Sequence, residues 1–207
     1  MAKTDDTAIG VTHRGPDPRA ERSRAAALTA AQQLLIEDGW AAVTHVAVAA
    51  RSGVGRTTLY RHWPESAMLI RDVLARSFQA DHSAPTGDLR TDLISELLAL
   101  RAMLLDSVAE RALRVMIERA TADRASAIIL EDCHRKGTEL LREIVEAAKV
   151  RGELPGDLKA DVAIDKLAGP MLFRRLFFNG TFDDGYVADL VDRFLDSYAL
   201  PQVQGTD

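Results

Sequence analysis

The chain has 207 residues, 47% of them apolar and 28% charged, with a net charge of −5. These proportions belong to a globular protein and exclude a fibre or a disordered chain. The single cysteine, Cys133, cannot build an internal disulfide framework, which fits a reducing compartment. No run approaches ~18 consecutive apolar residues, so no membrane helix is predicted. The opening residues, with Asp5, Asp6, Arg14, Pro16, Asp17 and Pro18, lack the apolar stretch of a signal peptide. The protein is therefore expected in the cytoplasm. Its charge is uneven: residues 1–80 carry a net +2 and residues 81–207 a net −7. That asymmetry suits a chain with one end near phosphate.

Residues 1–20 read as a flexible arm, polar and broken by Pro16 and Pro18. Helical periodicity starts near Arg19, where Ala27, Leu28, Ala31, Leu34 and Leu35 make one apolar stripe. Gly39 closes this helix as a C′ residue, and Trp40 is expected to pack back on it. Thr44 is a good N-cap for the next helix, with Val43 and Val48 at staple positions. That helix ends near Ser52-Gly53, a second short helix runs from about Arg56 to Arg61, and a longer one follows Pro64 through Met68, Val73 and Ser77. Ala84 to Gly87 is the best linker.

Beyond the linker come further stripes: Leu93, Leu97, Leu100 and Leu104; then Leu113, Met116, Ile117 and Ala120; then Leu140, Leu141, Ile144, Val145 and Ala148. An apolar segment over 161–178, with a kink expected at Gly169-Pro170, precedes a last stripe of Val187, Leu190, Val191, Phe194 and Tyr198. No alternating strand pattern and no internal repeat emerge. The chain reads as all-α with about nine helices: a helix-turn-helix domain over 21–66 and a helical domain over 67–207.

The segment 44–63, THVAVAARSGVGRTTLYRHW, joins two short helices through a tight turn at Ser52-Gly53-Val54. Gly53 stands where the turn needs positive φ. The second helix offers Arg56, Thr57, Thr58, Tyr60 and Arg61, and such a helix can lie in a DNA major groove. Arginine can donate twice to guanine O6 and N7, and threonine can meet the thymine methyl. Tyr60 and His62 can donate to phosphate oxygens, and Thr44 opens a helix whose N-terminus favours a phosphate.

Gly53-Val54-Gly55-Arg56-Thr57-Thr58-Leu59-Tyr60-Arg61-His62-Trp63 resembles the recognition segment of the TetR (tetracycline-repressor-like) family, G-V-S-x-x-T-L-Y-x-H-F. Leu34 to Trp40 resembles that family's end of helix 1, and Thr44 matches the threonine that opens its helix 2. The specific likeness covers residues 22 to about 75. It implies a three-helix DNA-binding head, joined by a fourth helix to a domain that binds a small-molecule effector and dimerises through its last two helices. By matched position, Thr44, Arg56, Thr57, Tyr60 and His62 are the implied contacts to a double-stranded DNA operator. Gly55 replaces the usual capping serine, which removes one phosphate contact, and Ser66 a common lysine, which implies either weaker backbone binding or a shift of that load to Arg61 and N-terminal arginines such as Arg22 and Arg24. Trp63 for phenylalanine is a mild change.

Other residues admit two readings each. Met103, Met116, His134, Phe173 and Phe177, with Met171, are candidates for an effector pocket or for plain core. Leu172, Leu176, Val187, Leu190, Val191 and Phe194 suit a homodimer interface or burial within one protomer. Glu131 and His134 share a helical face as an E-x-x-H pair, but a di-iron site needs a second copy and two more glutamates, which the sequence lacks. Cys133 reads as a buried thiol or a redox sensor. No P-loop, GxSxG, HExxH or paired-cysteine motif occurs, so no enzyme activity, cofactor or metal is expected.

Overall fold

The computed structural model describes residues 18–77 and 82–198. Within them the chain folds as ten α-helices and one short 3₁₀ turn, and no strand forms among the described residues. The first four helices are α1 (Pro18–Asp38), α2 (His45–Ser52), α3 (Arg56–His62) and α4 (Ser66–Ser77). Residues 18–20, placed in the arm by the sequence reading, belong to α1. Residues 1–17 lie outside the described residues.

The start and end signals of α2 act locally as expected. Thr44 caps α2 by accepting from the Ala47 N–H at 3.1 Å. The staple pair Val43 and Val48 is buried beneath that cap. Gly53 ends α2 in the left-handed region, φ 70° and ψ 4°. Gly39 also takes positive φ, 84°, but with an extended ψ of −176°. It therefore redirects the chain into the 3₁₀ turn Trp40–Ala42 rather than forming a left-handed cap. Trp40 packs against the head's core, as expected.

Six helices follow: α5 (Leu89–Leu105), α6 (Ser107–Ala122), α7 (Arg124–Gly137), α8 (Glu139–Arg151), α9 (Ala160–Phe178) and α10 (Asp184–Tyr198). The sequence pattern leaves out α7, hence the expectation of about nine. The physical reason is that its apolar residues 127–130 run consecutively rather than at helical spacing; α7 fully buries only Ser126 and packs Ile129, Leu130 and Cys133 half-buried against the head's core. Asp123 caps it, accepting from the Ser126 N–H at 2.8 Å. α9 continues as one helix through Gly169-Pro170.

Two cores divide the molecule. One joins Leu28, Leu35, Val48, Leu59 and Trp63 of the head with Leu69, Ile70, Val73 and Leu74 of α4, and with Ala112 and Met116 of α6. The other is built from α5, α8, α9 and α10, with Leu93, Leu97, Val145, Leu167 and Val191 wholly enclosed. Packing therefore puts α4 with the head, although the sequence partition starts the second domain at residue 67. The middle of α6, at Ala112 and Met116, is packed into the head's core. From between those two residues, α6 sends Arg114 to α9, where its guanidinium donates to the carbonyls of Arg175 and Leu176 and to Asn179 Oδ1. The Arg175 carbonyl also accepts from the Asn179 N–H at 3.1 Å, so Arg114 adds a second donor there and supplies one to the Leu176 carbonyl in the last turn of α9.

Where the apolar stripes point differs from expectation. Val187, Val191 and Phe194 were candidates for a dimer interface, but they fill the protomer's own second core. α10 lies across α5 and α9, and these three sit on its inner stripe. Leu172 and Leu190 are half-buried against the same core, and Leu176 is half-buried too. The proposed pocket residues also move. Met116 is buried in the seam between head and body, Met103 packs half-buried on the second core, and His134 is exposed on α7. Phe173 and Phe177 are 55% and 75% exposed. None of the five lines either of two recesses described below.

Candidate nucleic-acid interface

α3 has seven residues and sorts them cleanly. Arg56, Thr57, Tyr60 and Arg61 are exposed, whereas Leu59 is fully buried and Thr58 and His62 are half-buried. Positions i, i+1, i+4 and i+5 share one side of a helix, so the four exposed residues form a single outward face. Leu59 anchors the opposite side in the head's core. Tyr60 is 50% exposed. The reading helix therefore stands on the surface and shows two guanidiniums, a hydroxyl and a phenol.

Gly55 is the N-cap of α3, with φ −60° and ψ 138° and no side-chain cap bond. Its carbonyl accepts from the N–H groups of Thr58 and Leu59, which starts the helix. Thr44 is exposed at the head of α2. Its oxygen accepts from Ala47, so the hydroxyl proton stays available to a phosphate.

Two expected contacts are modified. The Nε2 of His62 is buried and has no hydrogen-bond partner within the structure, so this nitrogen faces inward rather than toward a phosphate. Arg24 is committed to the fold: it donates to Asp72 Oδ2 at 2.6 Å and lies 5.7 Å from the centre of the Trp63 ring. Arg22 is exposed and bonds its own helix through the Pro18 carbonyl at 3.2 Å. Arg14 lies outside the described residues.

The sequence reading missed what holds α3 in place. Trp63 is 2% exposed and its indole N–H donates to Asp72 Oδ2 at 3.0 Å. Asp72 thus gathers Arg24 of α1 and Trp63 at the end of α3 onto α4. His45, the first residue of α2, is buried and lies 2.6 Å through Nε2 from the Trp63 carbonyl oxygen. Its ring stacks on that of Tyr60, centroids 4.1 Å apart and planes 19° from parallel. A histidine directly after a capping threonine was the available signal.

The second domain has two recesses. One, of about 220 Å³, lies between the segment Ser83–Thr86 and residues of α5 and α8. Asp92 at its wall accepts from the Thr86 N–H and hydroxyl at 2.7 Å each and from the Gly87 N–H at 3.0 Å. Burial pushes the Asp92 carboxyl up, but these hydrogen bonds together outweigh burial and hold it below its usual value. Glu96 Oε2 lies 2.8 Å from His82 Nδ1. The other recess, of about 500 Å³, is open and lies by Arg101, Arg174 and Tyr186. Burial raises the Cys133 thiol, as for an inert thiol. Among the described residues no three His, Cys, Asp or Glu side chains converge as a metal site, and no helix is long and apolar enough to cross a membrane.

An exposed short helix seated on a second one across a three-residue turn is a helix-turn-helix. Residues 27–72 match the family model "Bacterial regulatory proteins, tetR family", and residues 83–194 match "Tetracyclin repressor-like, C-terminal domain". The chain belongs to the TetR family. It is a DNA-binding transcriptional regulator. Among curated relatives, it is 34% identical to a DNA-binding transcriptional repressor TetR of Mycobacteroides abscessus, over 86% of this chain and 94% of that one. It is 30% identical to the uncharacterized HTH-type transcriptional regulator YdeS of Bacillus subtilis, over 84% and 88%. The crystal structure of the TetR family transcription regulator SCO0332 superposes with a TM-score of 0.65 at 29% identity, covering 86% of this chain and all of that one. The TetR-family head thus coincides with α1–α4, and the matched C-terminal domain with the helices that follow.

Proposed function

We propose that this TetR-family regulator is a repressor that grips a palindromic operator as a homodimer in the cytoplasm and releases it when a small-molecule effector binds. The observation that carries this reading is the outward face of α3. Arg56 and Thr57, in its first turn, are suited to base edges, and Tyr60, Arg61 and Thr44 to phosphates. Arg22 and the half-buried Thr58 stand at the margins of that face. The relative from M. abscessus is named a repressor, which favours repression.

The dimer is supported by an apolar patch that nothing among the described residues covers. Phe173, Phe177 and Phe178 are 55%, 75% and 69% exposed on α9, with ring centroids 5.1 and 5.3 Å apart. Exposed apolar clusters of this kind mark association sites. Leu172, Leu176 and Leu190, half-buried beside it, extend the surface. Effector response is supported by α6, which is wedged into the head while Arg114 holds α9. A ligand shifts such a system only by its unequal affinity for two states, ~1–3 kcal/mol in ordinary allostery.

Selection from a random duplex pool tests the reading. The expected product is an inverted repeat whose half-sites lie roughly 34–36 Å apart, one helical turn or a multiple. A pool that yields no shared sequence would refute it.

A further inference from the structure

We propose that His45 is a positioning residue for DNA binding: it holds the Tyr60 ring and the carboxyl end of α3 in the orientation that meets the duplex. This rests on the reading that Tyr60 touches DNA. Three observations lead to it. His45 is among the few buried polar side chains of the described residues, so its polar atoms need a partner. A carbonyl oxygen only accepts, so the proton between His45 and the Trp63 carbonyl, 2.6 Å apart, sits on Nε2 of the imidazole. The same ring lies flat against Tyr60, at 4.1 Å and 19°, so one side chain grips both ends of the last turn of α3.

The geometry makes these two contacts interdependent. Trp63 is the C-cap of α3, and its carbonyl has no partner within the helix. Turning α3 about its axis would carry Tyr60 off the imidazole and lengthen the bond to Trp63 together. The ring of Tyr60 is half exposed and polar at its tip. Without a backing plane it would sample other rotamers. Fixing it beforehand lowers the ordering cost of binding. A plain core histidine would serve the stability of the head alike, whatever Tyr60 does.

The test uses the full chain, an operator duplex from the selection above, and fluorescence anisotropy. His45→Gln keeps a donor for the carbonyl but removes the stacked ring. It should weaken binding by about tenfold, the scale of one aromatic pair. His45→Phe keeps the ring and loses the donor, and should weaken binding less. The deciding background is Tyr60→Ala, in which His45→Gln should cause no further loss. Equal losses in both backgrounds would leave His45 a merely structural residue and overturn the inference. If Tyr60→Ala itself left affinity unchanged, the contact assignment would fail, and the inference with it. A readout on the unaltered protein guards against a variant that does not fold. The Tyr60 ring resonances should lie upfield before DNA is added, under the imidazole, and stay there at saturation. Resonances at ordinary positions that move only when duplex is added would overturn the inference.

Discussion

α3 and α9 each leave a stripe uncovered, and the stripes are opposite in kind. α3 shows arginine, threonine and tyrosine around one buried leucine, whereas α9 shows three phenylalanines. A polar stripe on a seven-residue helix is stable in water and gains from meeting a charged polymer. An apolar stripe of rings gains from meeting another apolar surface. The same protomer thus carries one face suited to DNA and another suited to a second copy. The helix beside each, α2 or α10, has its apolar side turned inward.

The largest expected effect sharpens the contrast within the second domain. Val191 is wholly enclosed and Phe177 is 75% exposed, although both belong to apolar stripes. Val191→Asp buries a charge without a partner and should abolish cooperative unfolding followed by circular dichroism. Phe177→Asp should leave a folded protein, and sedimentation should show its mass halved from that of the dimer. A dimer that survives this change would place the interface elsewhere.

Arg56→Ala comes next. It should leave the unfolding free energy within ~0.5 kcal/mol, because the side chain is exposed. It should relax discrimination at particular base pairs by about 1–3 kcal/mol, measured on a panel of single-site operator variants.

Asp92 tests the converse case, a polar group on an inner face. Its carboxyl is held below its ordinary value in the folded chain. The stability it lends is therefore present above the unfolded value of ~3.9 and is lost as pH falls through the lower folded one. Asp92→Asn should lower the melting temperature at pH 7 and shrink its fall between about pH 5 and pH 2. An unchanged acid profile would remove Asp92 from the account. The smallest effect is expected of Gly55→Ser. Space is open at Gly55 and its φ is negative, so a serine can cap α3. A gain of a few tenths of a kcal/mol is expected, read from denaturant midpoints.

The head was legible almost residue by residue because its signals are local and chemical. Thr44 must cap, Gly53 must turn, and Leu59 must anchor for α3 to stand where it does. In the body only apolar periodicity was available. Periodicity tells that a helix has an apolar side and not what covers it. Of the interface candidates, Val187, Val191 and Phe194 fill the protomer's own core, and of the pocket candidates, Phe173 and Phe177 stand exposed. α7 was read only as the helical face of Glu131 and His134, because its apolar residues 127–130 run consecutively rather than as a spaced stripe. His45 and Asp72 were invisible for another reason: they act across sequence separations of 9 to 48 residues, through bonds to Trp63 and Arg24 that no local spacing encodes.

The central claim is that the exposed face of α3 lies against the phosphates and bases of a duplex. The salt dependence of operator binding tests it most directly. Binding should fall linearly on a log–log plot as salt rises, and Arg61→Ala should reduce the slope by about one, as one phosphate contact is lost. An unchanged slope and affinity, in a variant that still folds, would mean that the duplex meets some other surface of the protein.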